Sequence, residues 1–254
     1  MHDNNNKIIA VASGKGGVGK TWFAITLAQA LSKAGEKVLL FDGDFGLANV
    51  DIQLGLMAKD DLSAVVSNKK TLNQIVTTSH NGGFAVFDVI VGHSGIGSLC
   101  GLPASRLQLL IDDMKALAAD YDRVIIDVAA GIEEAVIMLI NAAQQCIVVT
   151  NDEPTALTDA YALIKTMMLQ KSKVAMHAVI NSASSEKDGM KVYDTLDKSC
   201  KHFLKLNVPL LGIIRRDTKV KESIKNQEAL LTRYPFTEAA EDVVSIAQKI
   251  IRQA

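Results

Sequence analysis

The sequence predicts an α/β fold, a mostly parallel twisted sheet of about seven or eight strands with helices on both faces. Two patterns predict it. Nearly continuous apolar runs of strand length recur along the chain, as is typical of strands that are buried on both faces. Segments with helical spacing separate these runs, which favours parallel strands joined by helices. The apolar runs are residues 8–12, 38–41, 84–91, 124–128, 146–150, 178–181 and 210–214.

The helical segments are recognised by their apolar spacing. Phe23, Leu27 and Leu31 recur every four residues after the first apolar run, and so would share one face of a helix. Residues 106–117 and 156–168 follow a similar pattern. Each segment therefore predicts an amphipathic helix that packs against the sheet.

Composition excludes several classes of protein. The chain has 254 residues, 48% of them hydrophobic, and a net charge of −1. We expect a single domain over residues 1–254, with residues 1–6 disordered. The near-neutral charge does not indicate a nucleic-acid partner or an anionic membrane surface. No stretch reaches the roughly 18 apolar residues of a membrane span, and the cysteines form no CxxC pair, so we expect a cytoplasmic protein.

Residues 14–21, GKGGVGKT, match a phosphate-binding loop between an apolar strand and an amphipathic helix, the context that this motif requires. Glycines in such a loop let backbone N–H groups point at phosphate oxygens, at the positive end of the helix. We expect Lys20 to reach the β- and γ-phosphates and the Thr21 hydroxyl to bind Mg²⁺. The expected nucleotide contacts in this loop are Gly14, Lys15, Gly16, Gly17, Val18, Gly19, Lys20, Thr21 and Trp22.

The loop contains a second lysine, Lys15, which lies too early to duplicate the role of Lys20. A cation there is useful if it points outward, at the phosphates of a facing subunit, where it neutralises developing charge as an arginine finger does. The run KGGVGKT resembles the deviant Walker A motif of the MinD/ParA class of P-loop ATPases, with Lys15 at the position of the signature lysine. The resemblance implies a SIMIBI-type P-loop NTPase fold, ATP and Mg²⁺ as ligands, and an ATP-sandwich homodimer in which Lys15 crosses the interface.

Three aspartates lie at or just after the ends of apolar runs. Asp42 and Asp44 are two residues apart at a strand end, so both can face a Mg²⁺–phosphate centre. Similarity to the MinD/ParA class implies that Asp44 is the catalytic switch I aspartate that positions the attacking water, and that Asp42 supports the metal through water. Asp127 resembles the Walker B aspartate. A solvated acidic turn with an Asx role is the alternative for the first two. The expected metal-binding set is Thr21, Asp42, Asp44 and Asp127.

Polar residues after two later strands are expected to bind the base. Asn181 ends the run 178–181 and resembles the asparagine that pairs with the adenine edge in this class. Arg216 and Asp217 lie where the class has Ile-Pro-x-Asp, and would flank the adenine. The alternatives are a strand-end cap for Asn181 and a surface charge pair for Arg216 and Asp217.

Four residues depart from the pattern of the class. Trp22 replaces a small residue, and it either covers the first turn of the helix or contacts the nucleotide. Val128 and Ala129 replace Thr and Gly after the Walker B aspartate, which bears on the motion of switch II. Arg215 stands where proline is usual, so we expect a less rigid loop there.

Longer stretches resemble the FlhG/FleN family, MinD-like regulators of flagellar number and placement. They are residues 43–56, 92–99 and 151–165, and the likeness extends from about Lys7 to Ile251. It implies a slowly hydrolysing ATPase switch whose dimer is read or stimulated by a protein partner. The flagellar GTPase FlhF, a flagellar transcription factor or a switch-complex protein would fill that role.

Two segments of that family have no counterpart in the chain. Seven residues precede the first strand in place of an FlhF-contacting segment, and no membrane-targeting tail follows the last helix. Acidic residues in the last helix oppose an anionic bilayer, and its apolar stripe suits core packing, so we expect no autonomous membrane binding. The stripe is Ala239, Val243, Ile246 and Ile250.

Three other functions fit the same fold. A ParA-like DNA-partitioning or protein-positioning ATPase needs a basic dimer face, which the lysines within 165–173 or 219–225 can supply. An iron–sulfur carrier of the nitrogenase iron-protein type needs bridging cysteines; Cys100 is a candidate, but no cysteine follows Asp127 in switch II. A metabolic ATP-dependent ligase is not excluded by the fold alone.

Overall fold

The computed structural model describes residues 7–81, 84–92 and 101–253. Residues 1–6, almost all of the stretch 92–99 and Cys100 lie outside the described residues, so the expectations for them stay predictions. The strands are β1 Ile8–Ala12, β2 Val38–Gly43, β3 Thr77–Asn81, β4 Phe84–Ile90, β5 Arg123–Val128, β6 Gln145–Thr150, β7 Ala175–Ala183 and β8 Leu210–Arg215.

Helices connect these strands and cover both faces of the sheet. They are α1 Lys20–Lys33, α2 Val50–Leu54, α3 Leu62–Val66, α4 Leu72–Ile75, α5 Ala104–Leu117, α6 Glu134–Asn141, α7 Pro154–Leu169, α8 Glu186–Ser199, α9 Thr218–Lys225, α10 Leu230–Arg233 and α11 Glu238–Arg252. A short 3₁₀ turn, Ala118–Asp120, extends α5, and a π-helical turn, Cys200–Leu204, extends α8.

The strands of the described chain form one eight-stranded sheet, in the order β3-β4-β2-β5-β1-β6-β7-β8. Every neighbouring pair is parallel except β3 and β4, which are antiparallel at one edge. The predicted α/β fold is confirmed, and each apolar run corresponds to a strand. Strand β3 was not predicted, because its sequence, TTSHN, has no apolar residue. An edge strand pairs on one side only, so its place in the sheet does not require an apolar run.

Two apolar layers lie on the two faces of the sheet. Helices α1, α10 and α11 pack with one set of strand side chains, and α5, α6, α7 and α8 pack with the other. The four apolar residues of the α11 stripe are all buried in the first layer, which confirms the prediction that this stripe faces the core. In the part of the chain that the structure describes, no helix is both long and apolar enough to cross a membrane.

Helix α11 lies directly on a glycine of the edge strand β8. A Cβ atom added to Gly212 would lie 2.4 Å from Cγ1 and 2.7 Å from Cδ1 of Ile246, but 3.9 Å from its Cβ. Ile246 is itself buried, so the absence of a side chain at Gly212 is what lets its side chain reach the strand.

This contact predicts a compensating pair of substitutions. We expect Ile246→Ala to lower the free energy of unfolding by about 2–5 kcal/mol, because it leaves a cavity. We expect Gly212→Ala to cost about 1–3 kcal/mol by overpacking. The double variant should lose clearly less than the sum, because the new methyl group occupies part of the cavity. Urea unfolding of the four proteins measures this, and strictly additive losses would contradict the contact.

Candidate functional site

The polar residues singled out in the sequence converge at the carboxyl ends of the central strands, where ligands bind in open α/β sheets. Two adjoining cavities open there, of about 650 Å³ and 520 Å³. The first cavity is lined by the phosphate loop, by the loop after β2 with Asp44, and by the loop after β5. The second is lined by the phosphate loop with Asn181, Arg216 and Asp217. Trp22 lines both cavities.

The phosphate loop adopts a conformation that only its glycines tolerate easily. Gly17 and Gly19 have φ angles of +81° and +87°, in the left-handed region. Gly14 has no space for a side chain, because an added Cβ would lie 2.1 Å from the backbone oxygen of Asp159 in α7. Helix α1 begins at Lys20, so its unpaired N–H groups face the first cavity, as anion binding requires.

Lys20 forms a buried ion pair with Asp127. Its Nζ lies 2.5 Å from Oδ1, and the side chains of Lys20 and Asp127 are 8% and 1% exposed. Burial raises the pKa of Asp127, and the Lys20 ammonium opposes that rise. The second oxygen, Oδ2, is buried without a hydrogen-bond partner among the described residues. Asp127 therefore keeps one free acceptor at the base of the site, which fits a hydrated metal ion.

Asp42 holds the loop after β2 closed. Its Oδ1 accepts from the backbone N–H of Asp44 at 3.1 Å, and its Oδ2 accepts from that of Val50 at 3.2 Å. Complete burial, followed by repulsion from Asp127, raises the pKa of Asp42 to about 7. Since backbone donors occupy both oxygens, the structure gives Asp42 a bracing role that the sequence did not indicate. Its support of a metal through water stays a prediction.

Asp44 lines the first cavity and also stabilises its own loop. Its Oδ1 accepts from the backbone N–H of Gly46 at 3.3 Å and of Leu47 at 3.0 Å. This Asx-type turn is the alternative weighed from the sequence, and it leaves Oδ2 available to the cavity. No group of three or more metal-ligating side chains occurs among the described residues. Mg²⁺ is usually held by one or two carboxylates together with substrate phosphates, and the expected metal set of Thr21, Asp42, Asp44 and Asp127 stays a prediction.

Lys15 points away from its own phosphate loop. Its Nζ forms an ion pair with the carboxylate of Glu153 and donates to Thr155 Oγ1 at 2.8 Å, at the start of α7. The Lys15 ammonium holds the pKa of Glu153 below its usual value. Lys15 lines neither cavity and is partly exposed. Glu153 was not among the predicted site residues, although it belongs to a quoted stretch, because no local pattern relates it to a lysine so distant in sequence.

The predicted base-binding residues have structural partners of their own. Asn181 donates from Nδ2 to the backbone oxygen of Val18 at 2.7 Å, so it clamps the phosphate loop. Arg216 donates from Nε to Ser182 Oγ at 3.3 Å. Asp217 caps helix α9 through its Oδ1. All three predicted residues line the second cavity, and their contacts with adenine stay predictions.

Arg215 does not loosen the end of β8. Its guanidinium donates to both carboxylate oxygens of Asp242, at 2.9 Å and 2.8 Å, and to Glu238 at 2.7 Å. These bonds fix the strand end to α11, so the expected loss of rigidity from the absent proline is wrong. Val128 completes β5 within the core, and Ala129 lines the first cavity.

Comparison with known proteins also indicates a nucleotide-binding domain. The model of the CobQ/CobB/MinD/ParA nucleotide-binding domain matches residues 9–231. The antiactivator FleN of Pseudomonas aeruginosa is 34% identical, over 96% of this chain and 86% of the relative. The flagellum site-determining protein YlxH of Helicobacter pylori is 29% identical, over 97% and 82%.

Solved structures share the fold. The cell-division ATPase MinD of Pyrococcus furiosus superimposes with a TM-score of 0.83 at 24% identity, over 98% of this chain and 100% of that one. MinD of Pyrococcus horikoshii, solved with Mg-ADP, gives 0.82 at 25% identity, over 97% and 96%.

The family match covers most of the chain, and the FleN relative matches nearly all of it. The phosphate loop has the conformation and the lysine that such a domain needs. The resemblance inferred from the motif is thus confirmed, and the chain belongs to the MinD/ParA family of P-loop ATPases.

Proposed function

We propose that this ATPase is a dimerisation switch of the FlhG/FleN type, which binds ATP, hydrolyses it slowly and regulates flagellar number or placement. The flagellar part rests on two relatives, an antiactivator named FleN and a flagellum site-determining protein named YlxH. A ParA-like positioning function is the alternative, because it uses the same nucleotide site with another partner.

The direction of Lys15 supports a dimer most directly. A lysine that served its own phosphate loop would point into the first cavity, whereas Lys15 reaches the edge of the site at Glu153 and Thr155. From there its ammonium is available to the phosphates of a facing subunit. Leu47, which lines the first cavity, is 76% exposed, and Ile132, in the loop after β5, is 48% exposed. A facing second copy would remove such surface from water.

ATP binding redistributes the charges of the site. Lys20 leaves Asp127 and donates to the β- and γ-phosphates, and Thr21 contributes its hydroxyl to the metal shell. Asp127 would then help to hold the Mg²⁺ ion. Mg²⁺, when bound with ATP, neutralises phosphate charge. Asp44 orients the attacking water, and Lys15 of the facing subunit stabilises charge on the γ-phosphate.

A protein partner then either stimulates hydrolysis or binds the ATP-bound dimer specifically. A flagellar GTPase of the FlhF type, a flagellar transcription factor or a switch-complex protein fits a FlhG-like role. The apolar face of α11 is buried against the core, so that face is not free to bind a membrane.

Dimerisation tests the proposed switch. We expect the parent to be a dimer with ATP and Mg²⁺ and a monomer with ADP, by light scattering coupled to size exclusion. Lys15→Ala should bind ATP but stay monomeric, because the cation offsetting the facing phosphates is lost. Asp44→Ala should accumulate as an ATP-bound dimer, because only the orientation of water is lost.

The matched control is Lys173→Ala. Lys173 is an exposed lysine just before β7, at the amino end of that strand, whereas the site lies at the carboxyl ends of the strands. That variant should dimerise like the parent. Normal dimerisation of Lys15→Ala would rule out a contact of Lys15 across the interface.

Membrane association is a separate test. With ATP and liposomes rich in anionic lipid, we expect the protein to stay in the supernatant after sedimentation, because the apolar face of α11 is buried against the core and the first turn of that helix is acidic. ATP-dependent pelleting that is lost at high salt would contradict this expectation and would indicate direct recruitment to the membrane.

A further inference from the structure

Two buried polar atoms beside the first cavity have no partner among the described residues. One is the indole Nε1 of Trp22, a donor, and the other is the side-chain oxygen Oε1 of Gln53, an acceptor. Trp22 is only 5% exposed. Both residues line the first cavity. Leaving a buried donor and a buried acceptor unpaired is costly, which favours a second arrangement in which they pair.

Trp22 lies on α1 and Gln53 lies on α2, and the proposed switch requires ATP to align the phosphate loop before α1 with the Asp44 loop before α2. Trp22 follows Thr21 in the first turn of α1, so its position is set by the phosphate loop. Gln53 lies in α2, which directly follows the loop of Asp44. Gln53 also donates from Nε2 to Asn49 Oδ1 at 3.1 Å, and Asn49 ends that loop. A contact between Trp22 and Gln53 would therefore connect the phosphate loop to Asp44.

We propose that Trp22 donates its indole N–H to Gln53 Oε1 when ATP orders the loop containing Asp44, and that this bond positions Asp44 for hydrolysis. The inference rests on the proposed ATP-driven switch. Trp22 and Gln53 are positioning residues, because they act through Asn49 and the loop rather than on the substrate. The indole N–H of the tryptophan at this position of the phosphate helix thereby gains a role that the packing of its ring does not require.

Fluorescence provides a direct readout, because Trp22 is the only tryptophan of the chain. Adding a non-hydrolysable ATP analogue with Mg²⁺, at saturation, should shift the emission of the parent to longer wavelength as the N–H gains an acceptor. Gln53→Met, which keeps the length but removes the acceptor, should abolish that shift. Gln53→Glu, which keeps an acceptor oxygen, should retain it.

The matched control is Gln108→Met. Gln108 is an exposed glutamine of α5 whose side chain bonds Asp112 within the same helix. This variant should behave like the parent. A full emission shift in Gln53→Met would overturn the inference.

Kinetics separates positioning from packing. We expect Trp22→Phe and Gln53→Met each to lower kcat about three- to tenfold, the size of one hydrogen bond, with KM for ATP within about twofold. The double variant should be no slower than the slower single variant, because both remove the same bond. Multiplicative losses, or a rise in KM with kcat unchanged, would overturn the inference.

A fluorescent ATP analogue distinguishes failure of the inference from failure of the proposed function. The parent and Gln53→Met could bind the analogue equally and also have the same kcat. In that case Trp22 and Gln53 do not position Asp44, and the proposed ATP-driven switch is unaffected. If the parent does not bind the analogue, the proposed function fails and this inference fails with it.

Discussion

The buried ion pair between Lys20 and Asp127 is the interaction on which the site depends. It connects the phosphate loop to the end of β5 at the centre of the sheet. Removing one partner of a buried pair leaves an uncompensated charge, so neither residue can change alone at low cost. In the proposed switch, the triphosphate would offer Lys20 a more highly charged partner, and release of Asp127 would provide oxygens for a metal shell. On this proposal, the same pair would link phosphate binding to metal binding.

The other charged groups of the site are also held by partners within the chain. Asp42 accepts two backbone hydrogen bonds that close the loop of Asp44, and Lys15 is held by Glu153. In each of these contacts, a ligand could take the place of one partner. In the proposed switch, ATP would replace the partner of Lys20, a facing subunit would replace that of Lys15, and the unpaired atoms of Trp22 and Gln53 would bond to each other. A switch built from such exchanges needs no large rearrangement of the sheet.

How much of the structure can be predicted from the sequence depends on how far apart in the sequence the interacting residues lie. The phosphate loop, Asp127 and seven strands are predictable because short local patterns encode them. The polar edge strand β3 was missed, since its residues resemble a loop and only pairing with β4 makes them a strand. The contact of Lys15 with Glu153 joins residues 138 positions apart in the sequence, and that of Asn181 with Val18 joins residues 163 positions apart. Such pairs depend on how the helices pack, which no local pattern contains.

The most direct test of the central claim is the affinity of Asp127→Asn for ATP, measured by calorimetry with and without Mg²⁺. If Asp127 competes with phosphate for Lys20, neutralising it should raise the affinity in EDTA, because the lysine is released without loss of an ion pair. With Mg²⁺ the same variant should bind more weakly than the parent, because a carboxylate of the metal shell is missing. Weaker binding under both conditions would contradict an exchange of partners at Lys20.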